Sequence, residues 1–88
     1  MDLDTLLAIT KAIGAALSAT RNPETMMLAN TLFLHCKRIH QQNLVDDREA
    51  LRHEALDLIS ALEAEDQGNA AEFVKVAMGF VVDLHLDD

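Results

Sequence analysis

The stretch NAAEFVKVAMGFVVDL, residues 69–84, decides the fold of this chain. Two periods compete within it. Val74, Val76, Val81 and Val82 favour strands, and from Val82 to Asp87 apolar residues alternate with polar ones. Read as a helix, Phe73, Val74, Val76, Ala77, Met78, Phe80, Val81, Val82 and Leu84 sweep roughly 240° of the circumference, and Glu72, Lys75, Gly79 and Asp83 form a narrow polar strip. A strand here would stand alone, with its backbone unsatisfied unless another subunit supplied an equivalent strand. The segment is therefore read as helix to about residue 84, and the chain as all-α.

Working outward, capping residues divide the other positions into three further helices. The first runs over about residues 4–19 and stops before Asn22-Pro23, where Asn22 suits an N-cap and Pro23 a first helical turn. The second continues to about residue 42. Asp46 with Glu49 reads as a capping box for the third helix, to about residue 65. Gly68 stops it, and Asn69 with Glu72 repeats the box before the fourth. Short turns imply antiparallel neighbours.

The third helix is ordinarily amphipathic, and the second nearly so, with Met27 and Leu34 as an apolar stripe on its polar side. The first carries leucines and isoleucines over about half its girth and alanines, Ala8 and Ala12 among them, on the other side. An 88-residue domain buries only about 60–65% of the surface of its unfolded chain. The first and fourth helices have more apolar surface than such a chain covers. The fold expected is a small antiparallel bundle of four helices completed by homodimerisation, with Val76, Phe80, Val81 and Leu84 meeting Ala8 and Ala12 at the dimer interface. The competing arrangement makes the fourth helix central, wrapped by the other three.

Fifteen carboxylates against seven Lys and Arg give a net charge of −8, which works against unassisted binding of free nucleic acid. Lys11, Lys37, Lys75 and Asp83 interrupt every apolar run before it reaches membrane-spanning length, and the start Met1-Asp2-Leu3-Asp4 lacks the basic and apolar regions of a secretory signal. With Cys36 the single cysteine, a reducing cytoplasm is the expected compartment. Cys36 and His40 lie one helical turn apart, but two ligands do not make a metal site and the other histidines follow no ligand spacing. No phosphate loop or nucleophile elbow occurs, and Asp46, Asp47 and Glu49 serve as a helix start. The expectation is no enzyme, no metal and no cofactor.

Glu63, Glu65 and Asp66 stand at a helix C-terminus, where negative charge is unfavourable, and so join Met27 and Leu34 as candidate contacts for a protein partner, a basic one for the acids. Lys37, Arg38, Arg48 and Arg52 flank the turn between the second and third helices, where local salt bridges to Asp46, Asp47 and Glu49 account for them. Leu58-Ile59-Ser60-Ala61-Leu62-Glu63, an acidic turn and Phe73-Val74-Lys75 leading into an apolar helix are similar to the C-terminal half of the small acidic helical connector proteins of enterobacterial biofilm and stress regulation, over about a third of the chain. That resemblance implies a role exercised through protein contacts. The sequence reads as a small acidic interaction protein of adaptor, inhibitor, immunity or connector type. The alternatives are a nucleic-acid-linked regulator, as DNA mimic or weak DNA binder, and a dedicated chaperone for another helical protein.

Overall fold

The computed structural model describes residues 1–45 and 47–84, which form four helices: α1 (Leu3–Ala19), α2 (Pro23–Gln42), α3 (Arg48–Ala64) and α4 (Gly68–Met78). Side chains that satisfy the first orphan N–H groups start three of them. Asp2 accepts from the Thr5 N–H at 2.8 Å, and Thr5 holds the Asp2 carboxyl below the ordinary aspartate range. Asn22 accepts from the Glu24 N–H at 3.0 Å, with Pro23 in the first turn of α2 as the sequence indicates. α3 is capped by Asp47, which accepts from the Ala50 N–H at 3.2 Å. This is one residue beyond the expected cap Asp46, which lies outside the described residues.

Helices α2 and α3 end alike. Asn43 takes φ 51, and the N–H groups of Asn43 and Leu44 donate to the carbonyls of His40 and Ile39. Asp66 takes φ 61, and Asp66 and Gln67 donate in the same way to Glu63 and Leu62. This left-handed turn satisfies the last carbonyls of a helix. Because it reverses the chain at Asp66, α4 begins two residues later. Gly68 opens α4 where it was expected to end α3, and Asn69 lies inside the first turn. Gln67 occupies the cap position and makes no capping hydrogen bond with its side chain.

The fourth segment departs furthest from its sequence reading, since α4 stops at Met78 and not near residue 84. Helix continuation through Gly79 is unfavourable by about 1 kcal/mol relative to alanine, and Phe80, Val81 and Val82 are themselves modest helix formers. Burial decides the alternative. The N–H groups of Val81 and Val82 both donate to the Met78 carbonyl, and the tight turn brings both valines into the core. The Arg52 side chain donates to the Asp83 carbonyl at 3.0 Å and ties this tail to α3. Among the described residues there is no strand; the alternation over residues 85–87 lies outside them.

Each helix packs on two others in a closed ring: α1 on α2 and α4, and α3 on α2 and α4. Helix α4 is thus one of four equals and is not wrapped by the rest. The core takes Ile9 and Ile13 from α1, Leu32 and Ile39 from α2, Leu51, Leu58 and Leu62 from α3, and Val74 and Met78 from α4. Among the described residues no helix is long and apolar enough to cross a membrane.

Candidate protein-docking surface

Helix α1 carries two parallel stripes, each with the i, i+3, i+4, i+7 spacing of one helix face. Ile9, Ala12, Ile13 and Ala16 form the inner one, and all four are buried. Asp4, Leu7, Ala8 and Lys11 form the outer one. Along α4 and the turn beyond it, Phe73, Val76, Ala77 and Phe80 repeat the spacing, and these two outer stripes line a groove of about 350 Å³. Phe80 is 71% exposed and Val76 58%, while Leu7 and Phe73 are about half exposed. Leu3, one turn before Leu7, is also open to solvent. Contiguous exposed apolar faces are uncommon on monomeric soluble proteins, which makes this one a candidate docking surface.

Of the residues expected at an interface between copies, Val76, Phe80 and Ala8 line this groove. Ala12 and Val81 do not, at 1% and 8% exposure. The inner stripe of α1 takes Ala12 into the chain's own core, because Ile9 and Ile13 set which side of α1 turns inward. The turn after Met78 does the same for Val81. Leu84 packs half-buried against the core and lines a second, open cavity of about 840 Å³ on the α3 side of α4. Phe80 borders both spaces. Leu7 and Phe73 are not among the residues expected at the interface, although the spacing of seven from Phe73 to Phe80 is visible in the sequence.

Met27 and Leu34 point outward from α2, at 68% and 57% exposure. Because α2 and α4 each pack on α1 and α3, they lie across the ring from one another, and the α2 stripe is separate from the groove. Leu44 and Val45, in the turn after α2, are further exposed apolar residues that the sequence reading passed over.

The three acids at the end of α3 have separate surroundings. Glu63 pairs with Lys75 at 3.2 Å across α3 and α4, with both side chains about half exposed. Asp66 is exposed in the left-handed turn. Glu65 is engaged within the fold: the hydroxyls of Thr20 and Thr25, both buried, donate one to each of its carboxylate oxygens at 2.5 Å. Those hydroxyls, with the backbone N–H of Arg21, hold its carboxyl below the ordinary glutamate value. Both carboxylate oxygens thus accept within the fold and fasten the end of α3 to the turn between α1 and α2, which gives Glu65 an internal role that Asp66 and Glu63 do not share. Neither threonine has a sequence neighbour that would have disclosed this clasp.

Around the turn from α2 to α3, His35 Nδ1 lies 2.9 Å from Glu54, His53 lies 3.1 Å from Glu49, and Lys37 stands over the Phe33 ring at 5.9 Å. Asp47 is engaged as a helix cap. Cys36 is buried, and His40 Nδ1 is 3.0 Å from the Met1 carbonyl oxygen. Among the described residues no three His, Cys, Asp or Glu side chains group closely enough to hold a metal ion. Comparison with known protein families, curated proteins and solved structures found no match to this chain.

Proposed function

We propose that the protein acts by binding protein, as a small homodimeric interaction or regulatory module with no catalytic chemistry of its own. The observation that carries this reading is the apolar face over the α1–α4 seam, where Leu7, Phe73, Val76 and Phe80 stand open around one groove. Covering such a face removes apolar surface from water at about 25 cal/mol per Å², the main source of affinity in protein association. With a second copy over that face, the Met27 and Leu34 stripe on the far side and the exposed acids, Asp66 among them, remain for another protein. The net charge of −8 favours a basic partner there, in the manner of an adaptor, inhibitor or connector.

Light scattering across a range of concentrations tests the homodimer, with refractive-index detection because the chain has no Tyr or Trp. The expected mass is twice the 9.7 kDa of one chain, falling toward one chain on dilution. A mass of one chain at every concentration defeats the reading.

A further inference from the structure

The groove between α1 and α4 is symmetric in a way that selects its occupant. Its α1 edge reads Asp4, Leu7, Ala8, Lys11, with an acid at one end, a base at the other and apolar residues between. Asp4 and Lys11 are seven residues apart, which places them about 10 Å from one another along one side of the helix. Among the described residues neither makes a salt bridge. Its α4 edge reads Phe73, Val76, Ala77, Phe80, with an aromatic ring at each end and smaller residues between. Reversing either edge therefore gives a pattern complementary to itself.

Resting on the homodimer proposed above, we infer that two copies dock groove on groove about a two-fold axis lying in the contact face. The axis crosses α1 between Leu7 and Ala8 and α4 between Val76 and Ala77. In an isologous contact, residue i meets j and j meets i. Asp4 then faces the partner's Lys11 and Phe73 faces the partner's Phe80, each contact occurring twice. The small side chain of Ala8, at the middle of the α1 edge, lets the two α1 helices approach closely, while Ala77 turns into its own chain's core and leaves Val76 and the two rings to make the α4 contact. Charge favours a second copy on this face. Each chain carries −8, so two copies repel over most of their surfaces, whereas the groove lining has one acid and one base and is neutral. A strongly basic partner would gain nothing from that neutral lining and is better served elsewhere on the molecule.

Charge exchange tests this register, with the dimer dissociation constant measured by sedimentation equilibrium under interference optics. Asp4→Lys and Lys11→Asp each replace two attractive contacts per dimer by two repulsive ones and should each weaken dimerisation about tenfold or more. The double variant Asp4→Lys with Lys11→Asp restores the pairing in reverse and should return within about threefold of the parent. Phe80→Glu, a change at an exposed position, should leave helical circular dichroism intact and give monomers. Single variants that dimerise like the parent, or a double variant no better than the singles, overturn this arrangement and leave the homodimer itself standing. A parent chain that is monomeric throughout, or that dimerises only when another protein is bound, overturns both.

Discussion

Asp66 shows how a single residue ends a helix at some cost to itself. At φ 61 it occupies the region that glycine enters freely and other residues enter with strain, while its N–H and that of Gln67 satisfy the Glu63 and Leu62 carbonyls. Its charge also sits at the unfavourable end of the α3 dipole. Asp66→Gly should therefore raise the unfolding free energy by about 0.5–1 kcal/mol. The measurement is a urea midpoint moved upward with an unchanged slope. A lower midpoint would mean that the Asp66 side chain makes a stabilising contact outweighing its backbone strain. The sequence reading assigned the stop to Gly68, two residues late, because glycine is the usual occupant of this conformation and aspartate is not.

At the level of elements, the clasp formed by Glu65, Thr20 and Thr25 joins the end of α3 to the turn between α1 and α2. Hydrogen bonds to the charged form make the Glu65 carboxyl harder to protonate in the folded chain than in the unfolded one. Its contribution to stability is thus fully present above the ordinary glutamate value of 4.5 and fades as pH falls below that value, through the depressed folded one. Glu65→Gln should lower the thermal midpoint at neutral pH, and the gap from the parent should narrow as the solution is acidified through that range. Thr25→Val should act in the same direction. A gap independent of pH would show that the carboxylate charge contributes nothing to the clasp.

At the scale of the whole molecule, the proposed dimerisation would be linked to folding. A bound second copy stabilises the folded chain by mass action, so the thermal midpoint should rise with protein concentration. Phe80→Glu, which removes an exposed ring from the proposed docking face, should flatten that dependence while leaving the monomer's core intact. Differential scanning calorimetry at several concentrations checks both. A parent midpoint independent of concentration means that the open face of α1 and α4 contributes nothing to association between copies.

Much of the architecture was legible in the sequence because local signals and hydrophobic spacing agree over three of the four helices. Asn22-Pro23 starts α2 where its chemistry requires, and the leucines of α3 fall on one face. The exposure of Met27 and Leu34 followed from their place on the polar side of α2, and the surplus apolar surface of the first and last helices is a property of composition and length. Tertiary structure decided what competing local signals left open. Ile9 and Ile13 turned Ala12 inward, since α1 could bury only one of its apolar stripes between α2 and α4. The gain from burying Val81 and Val82 together ended α4 at Met78. Glu65 became an internal fastening because two threonines distant from it in sequence arrive at its carboxylate once the ring closes. Periodicity determines which residues share a face; only packing determines which faces meet and which remain open to a partner.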